Sequence, residues 1–237
     1  NKMTGVSNKK NGVFAEILKF KDFLLGSGKR ICVFGDSVIR GVVLDKNTGR
    51  YKLYGERFED ARARYGVDIE NNAKIGYTSL RVLEQLKNNI TPENCPEFVL
   101  LEYGGNDCNF NWKEVSDEPD KEHLPLTSVE EFRNNYIETI DYIRSCGGSP
   151  IVIIPSPIDS EKFIDYVCLK GGLSKENIIH WLGDVSLIAR WQEYYANLCR
   201  DIAQEKECPM INLRDEFLQS HNFKALICDD GIHPTPE

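Results

Sequence analysis

Four short runs of uninterrupted apolar residues recur along the chain: 31–34, 98–101, 151–154 and the weaker 210–213. Each is bounded by Gly, Pro or charge, and helical patterns fill the intervals. Runs of this length without polar alternation fit strands buried on both faces, as in a parallel sheet covered by helices. A fifth segment, 67–71, alternates apolar with polar and reads as an edge strand. Val129, Phe132, Tyr136, Ile140 and Ile143 recur at steps of three and four, and Ser128 with Glu131 ahead of them makes a capping box. Ile188, Trp191, Tyr195, Leu198 and Ile202 form a second stripe; Leu80, Leu83, Leu86 and Ile90 form a third. Such faces look into a core rather than onto a cofactor. Strand–helix alternation implies right-handed crossovers and one α/β domain over residues 1–237. Residues 1–28 read as an N-terminal helical extension. Residues 108–127 and 156–183 read as loop insertions, long enough to act as lids or to hold short helices.

The balance of 29 basic against 37 acidic residues gives a net charge of −8. A surface of that sign repels phosphate backbones and anionic lipid, so no nucleic-acid partner is expected. No apolar stretch approaches the length of a membrane span. Eight cysteines are present without a CxxC pair, and HExxH is absent, so no metal site is expected. Thiols within apolar runs, such as Cys32, behave as free buried cysteines and fit a reducing, cytoplasmic compartment. A secreted protein whose leader was removed before the polar start at 1–10 is the alternative. Oligomeric state leaves no signature here.

Ligands of open α/β sheets bind beyond the carboxyl ends of the strands. Gly35-Asp36-Ser37 follows the first strand, and Gly76 closes the loop after the second. Gly104-Gly105-Asn106-Asp107 follows the third, and Asp230-Gly231-Ile232-His233 lies beyond the fifth. Serine is a weak nucleophile until a base takes its proton. Ser37 at a strand-to-helix turn, with His233 as base, would meet that need. Asp230, three residues before His233, is suited to orient the imidazole, with Asp229 as its rival. Asn106 offers an amide donor which, with the N–H groups of Ser37 and Gly76, makes a three-donor oxyanion hole. Taken singly, Ser37 also reads as a helix N-cap, and both Asp229-Asp230-Gly231 and Gly104–Asp107 read as ordinary turns. Asp36, Gly105 and Asp107 are read as loop supports. Trp112 and His123, in the segment after Asn106, are candidates to overhang the substrate. Cys108 as nucleophile lacks a nearby histidine in sequence.

Together these four blocks resemble the GDSL, or SGNH, hydrolase family. Phe34-Gly35-Asp36-Ser37 matches its first block, with Val38 where the signature has Leu. Gly76, Gly104–Asp107 and Asp230–His233 match the others in order. The family continues past the histidine into a closing helix, whereas this sequence has four residues after His233. The resemblance implies a three-layer α/β/α, flavodoxin-like, five-stranded parallel sheet of order 2-1-3-4-5. It also implies hydrolysis of a small-molecule ester, thioester or acetyl sugar without a cofactor. Acidic, aromatic-containing loops suit short acyl groups on polar molecules. Acyl transfer by the same triad is a second reading, distinguished by transfer products with added alcohols. A non-catalytic binding module would be expected to lack a triad member. A flavin-binding protein would need a phosphate loop where Asp36 stands.

Overall fold

A computed structural model describes residues 30–54 and 68–236. The expected N-terminal extension lies outside these residues. The apolar runs form strands β1 (Arg30–Gly35), β5 (Phe98–Glu102), β6 (Ser149–Ile154) and β7 (Met210–Asn212), and the alternating segment forms β4 (Asp68–Asn71). All five pair in parallel, in the order β4-β1-β5-β6-β7. Numbered within this sheet alone, that order is 2-1-3-4-5, with β4 at an edge. Register is continuous across the centre, with Val33 opposite Leu100 and Leu100 opposite Ile151.

Side chains alternate faces along a strand, so each buried run feeds two cores. Cys32, Phe34, Val99, Leu101, Val152 and Ile154 point into one. Helices α2 (Ser79–Asn89), α4 (Val129–Ser145) and α7 (Leu187–Glu205) cover that face with Leu86, Phe132, Tyr136, Ile140 and Ile202. Ile31, Val33, Leu100, Ile151 and Ile153 point into the other. A thinner layer covers this second face: α1 (Ser37–Arg40), α8 (Leu213–Leu218) and the 3-10 turn Phe223–Leu226. Each fully buried Leu, Ile or Phe contributes about 1.5–3 kcal/mol, so two such faces outweigh the weak propensities of the short strands.

Ser128 and Glu131 form the expected capping box on α4. Leu80 differs from expectation. It is 49% exposed, and α2 buries Val82 in its place beside the expected Leu83 and Leu86. Of the two segments read as loop insertions, 156–183 is largely helical and 108–127 holds one short helix. They hold α3 (Trp112–Asp117), α5 (Ser160–Gly171) and α6 (Lys175–Leu182). Asp159 caps α5 by accepting from the Glu161 and Lys162 amides, and Ser174 caps α6. These helices enclose a third core of Trp112, Val115, Phe163, Ile164, Ile178, Leu182 and Ile188. A two-stranded antiparallel ribbon, β2 (Val42–Leu44) with β3 (Tyr51–Leu53), follows α1 and was not anticipated.

Candidate active site

Gly35 ends β1 where no side chain fits: a Cβ there would lie 2.0 Å from the Glu102 carbonyl oxygen. The chain then turns sharply into α1. Asp36, not Ser37, is the N-cap, its carboxylate accepting from the Val38 amide at 2.9 Å. Ser37 is therefore the first residue of the helix, where a backbone N–H has no partner within the helix. Its side chain meets the far end of the chain. His233 Nε2 lies 2.8 Å from Ser37 Oγ, and His233 Nδ1 lies 2.6 Å from Asp230 Oδ2. The other Asp230 oxygen accepts from the Ile232 and His233 amides at 2.9 and 3.1 Å. Asp230, not Asp229, thus holds the ring; Asp229 lies 3.9 Å from Lys162 Nζ, with a 60% exposed side chain. Burial opposes ionisation of Asp230. The His233 hydrogen bond and charge, with the two amides, outweigh it and hold its carboxyl below the usual range.

The remaining predicted residues gather at the same edge. Gly76 sits in the left-handed region at φ +76°. Asn106 donates one amide N–H to the Tyr77 carbonyl at 2.9 Å, which ties the third-strand loop to that of Gly76. Asp107 grips the start of α2, accepting from the Ser79 amide at 2.9 Å and from Ser79 Oγ at 2.6 Å. Gly105 lies beside the Asp36 carboxylate, 3.7 Å from where its own Cβ would stand. Burial first, with the Asp107 charge added, pushes the Asp36 carboxyl up to about 6, against the Val38 amide and His233.

Ser37, Gly76, Asn106 and His233 border one cavity of about 250 Å³. Trp112 lines it too, with Nε1 donating to Asn109 Oδ1 at 2.7 Å. His123 does not. It packs edge-on against Trp181, with ring centroids 5.3 Å apart, and Nε2 stands 2.9 Å from the Glu118 carbonyl oxygen. Cys108 lines the cavity, but burial holds its thiol far above the usual range, against use as a thiolate. Tyr51, on the unanticipated ribbon, packs edge-on to His233, with ring centroids 5.3 Å apart.

A second residue without a sequence signal is Glu102. It ends β5 fully buried, accepting from the Ile39 amide at 3.2 Å. Burial, then the neighbouring Asp36 charge, raises its carboxyl well above the usual range. The folded chain therefore keeps this proton to higher pH than the unfolded chain does, and stability falls as pH rises through that interval. Asp36 adds the same sign up to about pH 6. Glu102→Gln keeps the acceptor for Ile39 and removes the ionisation. Its urea midpoint is expected to gain on the wild type as pH rises above the ordinary carboxylate range. A difference that stays constant with pH would refute this.

Solved structures that share the fold include the following three. A lipase/acylhydrolase from Enterococcus faecalis aligns at TM-score 0.57 and 20% identity, over 88% of each chain. LAE5, an α/β hydrolase enzyme from the metagenome of Lake Arreo, aligns at 0.60 and 20%, over 90% of each. Axe2, an acetylxylan esterase from Geobacillus stearothermophilus, aligns at 0.59 and 18%, over 90% of this chain and 89% of that one. No curated protein matches the chain. The model of the GDSL-like lipase/acylhydrolase family matches residues 33–237, from β1 through the Asp230–His233 loop, and the chain belongs to that family of hydrolases.

Proposed function

We propose that the protein is a serine-dependent carboxylic ester hydrolase that works through an acyl-enzyme. The observation that carries this reading is the hydrogen-bonded chain Asp230–His233–Ser37 at the border of a lined cavity. His233 Nε2 takes the Ser37 proton as Oγ bonds to the ester carbonyl carbon, and the carbonyl electron pair moves onto oxygen. The Ser37 and Gly76 N–H groups and the free Asn106 amide hydrogen receive that oxyanion. Each such donor is worth about a hundred- to a thousand-fold in rate. The tetrahedral centre then expels the alcohol, which leaves with the proton from the imidazolium. Asp230 stays ionised and steadies that cation. Water repeats the sequence on the acyl-serine and restores the enzyme.

Asp36, Gly105 and Asp107 act here as braces, and Trp112 forms part of the substrate wall. The low carboxyl of Asp230 suits its role, because a protonated acid could not hold the imidazolium. An alkyl fluorophosphonate, which traps activated serines, gives the direct test. One phosphonyl group is expected on the intact protein, mapped to the peptide containing Ser37, and His233→Ala should slow labelling at least about a hundred-fold. Label on Cys108, or none, would overturn the reading.

A further inference from the structure

We infer that the cavity beside Ser37 selects esters with an unbranched apolar acyl chain of about six to eight carbons. This rests on the ester-hydrolase reading and revises the short, polar substrate that the loop composition suggests. The first support is size. The cavity holds about 250 Å³. An apolar cavity of about 150 Å³ takes benzene, so this one has space for about ten heavy atoms, the size of an acyl group of six to eight carbons with its ester oxygens. An acetyl group would leave most of it unfilled.

The second support is the chemistry of the wall. Most of the lining is apolar, including Phe110, Trp112, Phe163, Ile188, Trp191 and Ile232. The polar side chains Asn109 and Gln192 on that wall are already engaged. Asn109 Oδ1 accepts from both Trp112 Nε1 and the Phe110 amide, at 2.7 and 3.0 Å. Gln192 donates to the Ser156 carbonyl at 2.9 Å and accepts from Arg214 at 2.8 Å. Trp191 Nε1 is buried out of solvent's reach, without a hydrogen-bond partner. A sugar hydroxyl brought here would lose water and gain no partner, which is unfavourable, whereas a methylene gains by leaving water.

The third support is direction. The departing alcohol takes its proton from His233 Nε2, and the flank of His233 is Tyr51, which is 47% exposed. That side opens to solvent and suits the alcohol. The enclosed side, built from the segment after Asn106 and from α5 and α7, is left for the acyl chain.

The test is kcat/KM of the full chain on p-nitrophenyl acetate, butyrate, hexanoate, octanoate, decanoate and dodecanoate, with Ser37→Ala in parallel. Each added methylene should raise kcat/KM about four-fold, or about 0.8 kcal/mol. The rise should end at hexanoate or octanoate and reverse beyond. Ile188→Phe narrows the wall and should lower the octanoate-to-butyrate ratio at least about ten-fold. A ratio taken within one variant is unaffected by the fraction of protein folded. Ser37-dependent turnover with its maximum at acetate, a flat profile, or a rise continuing to dodecanoate would overturn this inference and leave the hydrolase reading intact. No Ser37-dependent turnover of any ester would remove both.

Discussion

Ser37→Ala is expected to lose about 10⁴- to 10⁶-fold in kcat on the preferred ester while unfolding at nearly the wild-type temperature. The size follows from the wiring. Without Oγ, the imidazole that stands 2.8 Å away has no proton to take. Only the oxyanion donors and the binding cavity then accelerate attack by water. In the proposed mechanism Ser37, His233 and Asp230 act as a unit, so their losses should not add. The Ser37→Ala/His233→Ala double variant is expected to be no slower than Ser37→Ala alone, within about three-fold. Residual activity above about a tenth of wild type, or a double variant slower by a further large factor, would sink the scheme. Steady-state kinetics at enzyme concentrations set by absorbance measures both.

The second large effect is structural. Gly231 sits inside the Asp230–His233 loop at φ +76°. A Cβ there would come within 2.4 Å of the Phe163 amide nitrogen and 2.5 Å of the Asp159 carbonyl oxygen, both backbone atoms of the α5 start. Gly231→Ala therefore incurs two costs, about 1–2 kcal/mol for a left-handed alanine and about 1–3 kcal/mol for overpacking. For a chain of this size the sum lowers Tm by roughly 10 °C. Gly172→Ala is the control. Gly172 has φ +61° with open space around it, so it incurs the first cost alone. Calorimetry on the two variants separates the terms. Equal shifts would mean that the close approach to α5 is unimportant. Gly231→Ala should also lose activity in its folded fraction, because relieving the clash moves His233 off Ser37.

The parts of this molecule that were legible in sequence are those with a strong local cause. Strands buried on both faces must be apolar throughout, so β1, β5 and β6 stand out. The convergence of the Asp36–Ser37, Gly76, Asn106 and Asp230–His233 blocks on one edge was readable because each follows a strand end, where open α/β sheets place their sites. The parts that were not legible have causes as particular. β2 and β3 have three residues each, too few to show a period, and all three residues of β3 are exposed. Nothing local therefore pointed to Tyr51. Glu102 ended an apolar run in sequence, yet the strand continues through it and buries it beneath α1. Only the tertiary arrangement decides that. The helices α5 and α6 carried readable caps at Asp159 and Ser174, but their apolar positions face a local cluster rather than the sheet. His123 shows the converse error. Nearness in sequence to Asn106 suggested nearness to substrate, and α3 carries the chain away.

The junction between α5 and the histidine loop has a consequence for how preference and speed are inherited together. The Asp159 amide donates to the Gly231 carbonyl at 2.9 Å, and Lys162 Nζ donates to the Ile227 and Lys224 carbonyls at 2.7 Å each. The same helix lends Phe163 to the cavity wall. Reshaping that wall from α5 thus disturbs the seat of His233, and a change meant for acyl length registers in turnover as well. Ile188, on α7, meets the loop through the apolar cluster that Ile232 joins, with no backbone hydrogen bond between them among the described residues. It is a position at which a lineage or an engineer could retune the substrate with less effect on the chemistry.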